Sequence, residues 1–136
     1  MSGGLCFPLY SCSREIIKRY TPFLEKIDLT YTQYIAMMVL WGKKQISVKE
    51  LGKCLFLDSG TLTPLLKKLE QKGYVTRTRS EEDERVLIAA ITPKGEDLKD
   101  EAVLIPQKMM ACAALPQEKA AQLYTPLYEL LNTLEK

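Results

Sequence analysis

The chain has 136 residues, 46% of them apolar, and a net charge of +2. That is enough apolar content for one folded domain over residues 1–136, and too much for a disordered chain. There is no histidine, the four cysteines (Cys6, Cys12, Cys54, Cys112) stand singly, and no apolar run nears a bilayer span. These facts exclude Ser-His and Cys-His nucleophile pairs, zinc ribbons and membrane helices.

In residues 5–27, Leu5, Leu9, Cys12, Ile16, Tyr20, Phe23 and Ile27 recur at spacings of three and four. That predicts an amphipathic helix with Cys12 on its packing stripe. Pro22 should kink or break it near Thr21. Thr30-Tyr31-Thr32 opens a second helix through Gln33–Trp41, which Gly42 should end. Ser47-Val48-Lys49-Glu50 reads as a capping box for a short third helix to about Leu55. Asp58-Ser59-Gly60-Thr61 offers caps for a fourth helix running to Gly73, with Leu62, Leu65, Leu66 and Leu69 as its core stripe.

Two β-rich runs follow, 74–80 and 86–92, joined by the charged segment 81–85. They predict a hairpin. Thr92-Pro93 starts a fifth helix, which Pro106 should bend. Pro116 starts a last helix with Leu123, Leu127, Leu130, Leu131 and Leu134 on one stripe, and Pro126 should kink it. The fold expected is mainly α with a small β-wing: a winged helix-turn-helix at about 45–92, flanked by helical dimerisation parts at 4–42 and 93–136. The flanking stripes exceed what the central unit can cover, so a symmetric homodimer is expected.

Charge is unevenly placed. Residues 43–79 carry nine Lys/Arg against three Asp/Glu, whereas residues 80–136 carry six against eleven. The basic centre suits a phosphate backbone. With the leucines of the fourth helix inward, its outer face shows Gly60, Thr61, Thr63, Pro64, Lys67, Lys68 and Gln71, and Ser59 at its start is a further DNA-binding candidate. Small and hydroxyl residues at a helix start can approach base edges and phosphates closely, and lysines further along can meet phosphate. Arg77, Arg79 and Arg85 lie on the hairpin, where an arginine at the tip can enter the minor groove, with Asp83 orienting Arg85. Double-stranded DNA with a pseudo-palindromic site is the expected partner, its half-sites roughly 10 bp apart. A solvated helix face beside a charged loop is the plainer reading of the same residues.

The run 57–70, LDSGTLTPLLKKLE, resembles the recognition helix of MarR-family regulators, and 79–85, RSEEDER, resembles their wing. Leu5-Cys6-Phe7 together with Leu29-Thr30-Tyr31 resembles the organic-hydroperoxide-responsive (OhrR) repressors and their staphylococcal thiol-sensor relatives. The resemblance implies a repressor; the missing signal peptide and membrane span point to the cytoplasm, and the missing histidine argues against an enzyme or a metal site, so no cofactor is expected. Its Cys6 thiolate would be oxidised by organic hydroperoxide, and the dimer would then leave its operator.

The resemblance also implies that Tyr20 and Tyr31 of the partner subunit hydrogen-bond that thiolate, with Tyr10 a further pocket tyrosine. Cys112 matches a resolving cysteine, which implies a Cys6–Cys112 intersubunit disulfide. If Cys112 is instead apolar filler, a small thiol would cap the sulfenate. The chemistry is compatible with Cys6 in a first helical turn, where the dipole favours thiolate. Three alternatives remain open: a repressor switched by a small phenolic ligand, a thiol peroxidase, and an interaction module that binds no DNA. Cys54 is assigned no role.

Overall fold

The structure is a computed structural model describing residues 4–112 and 115–135, with the side chains of 110–112 outside the description. The elements are α1 (Cys6–Glu25), α2 (Tyr31–Lys43), β1 (Gln45–Ser47), α3 (Val48–Leu55), α4 (Ser59–Gln71), β2 (Val75–Arg79), β3 (Leu87–Ile91), α5 (Pro93–Asp97), α6 (Lys99–Ala102), α7 (Ile105–Cys112) and α8 (Gln117–Leu134). The three strands form one antiparallel sheet in the order β1-β3-β2.

The centre of the chain follows its local chemistry. In α4 the leucines at 62, 65, 66 and 69 are all buried, as the helical period requires. Gly73 then takes φ +84, a left-handed conformation that suits glycine. There the Tyr74 amide donates to the Leu69 carbonyl and the Gly73 amide to that of Glu70, closing the helix end. The β2–β3 hairpin pairs Val75 with Ile91 and Arg79 with Leu87. Met37, Leu40, Leu51, Leu66, Leu69 and Ala89 sit at the centre of the core, fully buried. Each large apolar side chain buried this way stabilises the fold by about 1.5–3 kcal/mol.

Several expectations need correction. Pro22 does not break α1, which runs through it to Glu25. The proline removes one amide donor on an exposed stretch where water can serve the freed carbonyl, and the Thr21 hydroxyl donates to the Ile17 carbonyl at 3.2 Å. Gly42 does not end α2, because it lies inside the last turn. The left-handed residue is Lys44 (φ +71), whose carbonyl accepts the Ile91 amide at 2.9 Å. The strand β1 was not expected. It is three residues long and pairs with β3, so the sheet has three strands rather than two.

The capping box forms in full at Thr30, not at Ser47. The Thr30 hydroxyl accepts the Gln33 amide at 3.3 Å, and Gln33 Oε1 accepts the Thr30 amide at 3.1 Å. Ser47 accepts the Glu50 amide at 3.1 Å, but the Glu50 carboxylate pairs with Lys53 instead of returning to the cap. The fifth helix is three short helices, interrupted at Leu98 and at 103–104, just before Pro106. Pro106 has no amide to give Ala102, so the i→i−4 ladder fails there.

The outer helices leave their apolar residues uncovered. No residue of α8 is buried in the protomer, and Leu123, Tyr124, Leu127, Tyr128 and Leu134 are exposed. At the N-cap of α1 Leu5, and on α1 Phe7, Tyr10, Ile16 and Ile17, are exposed as well. Cys12, expected on a packing stripe, is also exposed, because none of the described residues covers it. Among the described residues no helix is long and apolar enough to cross a membrane.

Candidate functional site

The basic face is built by α4 and the hairpin. The inward leucines turn Ser59, Gly60, Thr61, Thr63, Pro64, Lys67 and Lys68 outward, and all seven are exposed. Asp58 caps α4 through its backbone, its carbonyl accepting the Thr61 and Leu62 amides. Its carboxyl is held below the usual range, chiefly by a hydrogen bond from the Thr61 side chain. The helix start therefore presents amides and hydroxyls with little bulk, a suitable surface for a phosphate or a base edge.

The three hairpin arginines differ. Arg79 and Arg85 are exposed. Arg85 Nε and Nη2 donate to the Asp83 carboxylate at 3.1 and 3.2 Å, so the expected orienting pair is present. That pair lowers the Asp83 pKa. Arg77 is held internally: Nε and Nη2 donate to Glu70 Oε1 at 3.0 and 2.9 Å, and its own amide donates to Glu70 Oε2 at 3.3 Å. Its guanidinium braces β2 against α4, which leaves Arg79 and Arg85 as the exposed cations of the hairpin.

The thiol lies elsewhere. Cys6 is the first residue of α1 and is exposed. Tyr10 stands one turn further on, also exposed, with the Arg14 guanidinium 5.4 Å above its ring. Tyr20 and Tyr31 meet with ring centroids 5.0 Å apart. Burial raises the pKa of both phenols, and for Tyr31 the neighbouring Tyr20 adds to it, so both remain neutral donors. Along α1, Cys6 is roughly 21 Å from Tyr20, given 1.5 Å per residue. Within one chain the cysteine and these two phenols cannot meet, and only a second copy could bring them together.

Two further groups of tyrosines were not singled out from sequence. Tyr34, nearly fully buried, completes a cluster with Tyr20 (5.9 Å) and Tyr31 (6.4 Å) and packs edge-on to Trp41 (6.4 Å). Its position three residues after Tyr31 was the available signal. Tyr124 and Tyr128 meet on α8 with ring centroids 4.8 Å apart and planes tilted by 46°. Tyr128 has a raised pKa, mainly through Tyr124. Cys54 is exposed near the end of α3, and the Cys112 side chain lies outside the described residues. Among the described residues no group of three or more His, Cys, Asp or Glu could hold a metal ion.

The sequence profile of the SarA/Rot transcriptional regulators matches residues 18–102. The chain belongs to this family of transcriptional regulators. It is 48% identical over 136 residues, all of this chain and 92% of the relative, to the organic hydroperoxide resistance transcriptional regulator of Bacillus subtilis strain 168.

Its fold is similar to that of AbfR of Staphylococcus epidermidis. The reduced, DNA-bound form of AbfR superposes with a TM-score of 0.82 at 31% identity, covering 96% of this chain and 91% of that one. The overoxidised, DNA-bound form gives 0.80 at 33% identity, covering 95% and 90%. The disulfide form gives 0.73 at 32% identity, covering 96% and 89%. A MarR variant from E. coli solved with operator DNA shares the fold alone, at 23% identity and a TM-score of 0.78, covering 90% of each chain. The MarR-like winged-helix architecture and the resemblance to organic-hydroperoxide regulators are thereby borne out, and these proteins are regulators rather than enzymes.

Proposed function

We propose that the chain is a homodimeric, redox-sensing repressor that holds a pseudo-palindromic operator when reduced and releases it when organic hydroperoxide oxidises Cys6. In this reading residues 45–92 read DNA, and residues 4–42 and 93–136 join the two subunits. Ser59, Gly60, Thr61 and Thr63 approach bases and phosphates, Lys67 and Lys68 neutralise phosphate, and Arg79 and Arg85 of the hairpin enter the adjoining minor groove. The observation that carries the proposal is the exposed Cys6 at the head of a helix whose apolar residues are uncovered. A second copy that covers α1 and α8 brings its own Tyr20 and Tyr31 to this thiol.

The chemistry is that of a thiolate. Cys6 Sγ attacks one peroxide oxygen, the O–O bond breaks, and the alkoxide leaves as alcohol after taking a proton. Cys6 is now a sulfenic acid. The Cys112 thiol of the other subunit attacks that sulfur, an S–S bond forms, and water departs. Neutral phenols from Tyr20 and Tyr31 stabilise the thiolate before the attack, and Tyr10 shields its open side.

AbfR is known both overoxidised on DNA and in a disulfide form. Added oxygen is thus compatible with DNA contact in that relative, which favours the disulfide as the releasing species here. Pulling Cys6 toward Cys112 shifts α1 against α7 and changes the spacing of the two α4 helices.

Non-reducing electrophoresis and peptide mapping after stoichiometric cumene hydroperoxide test this step. A covalent dimer joined through Cys6 and Cys112, absent in Cys6→Ser and Cys112→Ser, is expected. A native chain that stays monomeric on the gel yet still releases DNA would assign the switch to a sulfenate capped by a small thiol.

A further inference from the structure

The corner between α1 and α2 is tied to the far end of α4 by one lysine. Lys72, the residue that ends α4, donates to the Asp28 carbonyl at 2.6 Å and to Gln33 Oε1 at 3.0 Å, and pairs with the Asp28 carboxylate at 3.6 Å. The ammonium thus makes two hydrogen bonds and one longer ion pair, all to the α1–α2 corner and the start of α2. Gln33 is only 4% exposed, the one buried polar side chain among the described residues. The same Oε1 accepts the Thr30 amide, so a single oxygen joins the cap of α2 to the end of α4.

Asp28 is left-handed at φ +56, a costly conformation for a residue with a side chain, and the lysine grips its carbonyl. From the other side, the Lys72 carbonyl accepts Lys94 Nζ at 2.9 Å and the Gly73 carbonyl accepts the Thr92 hydroxyl at 2.6 Å. The end of α4 is therefore clamped between the α1–α2 corner and the start of α5.

Tyr31 lies between the two residues of the α2 cap, Thr30 and Gln33. A displacement of Tyr31 would move that first turn, and with it Gln33 Oε1, one of the acceptors of Lys72. Building on the redox reading above, we infer that Lys72 is a positioning residue that transmits the state of the Tyr20–Tyr31 cluster to the DNA-reading helix α4. An exposed ion pair would be too loosely held for this. The buried amide of Gln33 and the constrained carbonyl of Asp28 fix the direction in which the ammonium is pulled. Coupling of this kind acts both ways, so DNA seated on α4 must also alter the surroundings of Tyr31.

The test uses full-length native protein, Lys72→Met and Lys72→Arg, with Tyr31 labelled by 3-fluorotyrosine. The probe is a duplex selected from a random-sequence library by the reduced native chain, and the oxidant is cumene hydroperoxide. In Lys72→Met, Cys6 should form sulfenic acid at the native rate. Its oxidised-to-reduced Kd ratio should nonetheless fall about tenfold below the native ratio, within the usual range of coupling between sites. The fluorine shift that duplex DNA induces at Tyr31 should also vanish, and Lys72→Arg should restore part of both signals.

A Lys72 that merely supports the fold would lower thermal stability and reduced affinity while leaving the ratio and the shift intact, and that result overturns the inference. If the native chain keeps its duplex after Cys6 is oxidised, the redox reading fails and the fluorine arm still decides. A Tyr31 shift that survives in Lys72→Met overturns the latch, and one that vanishes with the lysine supports it.

Discussion

Replacing Lys67 and Arg77 separately by alanine separates a phosphate contact from a brace. Lys67 is exposed on the outer face of α4. In the proposed dimer two copies of Lys67 meet phosphate, so Lys67→Ala should remove two contacts. Each contact contributes about −0.9 to the slope of log affinity against log salt, so the variant slope should be shallower by about 1.8. Over a fourfold rise in salt the gap in affinity between native chain and variant then narrows about 12-fold.

Arg77 has a side chain only 20% exposed, engaged with a Glu70 carboxylate that is 32% exposed. Its removal strands that carboxylate partly buried. Charge-assisted bonds of this kind are worth about 1.5–3 kcal/mol, and solvent screening at this exposure brings the expected loss to about 1 kcal/mol. Arg77→Ala should therefore melt earlier and bind more weakly, with the native salt slope. Fluorescence anisotropy of a labelled duplex across a salt series, with thermal unfolding alongside, measures both. A native slope in Lys67→Ala, or an equal loss of slope in Arg77→Ala, would refute the assignment of the two side chains.

Gly95→Ala should destabilise the fold strongly. An added Cβ would lie 2.3 Å from the Tyr74 carbonyl oxygen and 2.9 Å from Ile91 Cγ1. The Gly95 carbonyl also accepts the Trp41 indole N–H at 2.9 Å. Overpacking and a weakened hydrogen bond together should cost about 3 kcal/mol, lowering the Tm by about 10 °C in a thermal melt; an unchanged Tm would contradict this packing.

Alkaline pH gives a further check, because burial raises the Tyr20, Tyr31 and Tyr34 phenols. Their folded pKa values exceed the unfolded value of about 10, so the native state holds protons that the unfolded chain has lost. Stability is then complete below that pH and falls as pH rises through the folded values. Denaturant titration should show the decline, and Tyr20→Phe and Tyr31→Phe should lessen it; a native chain whose stability stays flat there would contradict the burial.

What could be read from sequence was what is settled within a few residues. The α4 stripe, the Gly73 stop and the Asp83–Arg85 pair are local, and each follows from helical period, backbone freedom or neighbouring charge. The lysine link at Lys72 spans 44 residues to Asp28 and 39 to Gln33, so no window contains it. Tyr34 joins Tyr20 only once α1 and α2 pack together. The strand β1 is too short for alternation to show, and it forms because β3 offers it an edge. The stripe containing Cys12 was visible as a stripe, but period cannot say whether the surface that covers it belongs to the same chain. Arg77 looked like the other hairpin arginines because its partner Glu70 sits on a different element.

In the proposed switch, DNA binding is controlled at one sulfur. The direct measurement is release of a selected duplex by stoichiometric cumene hydroperoxide, comparing the native chain with Cys6→Ser. The native dimer should release its DNA and regain it on treatment with dithiothreitol, while Cys6→Ser should stay bound throughout. Peroxide-driven release from Cys6→Ser would contradict it.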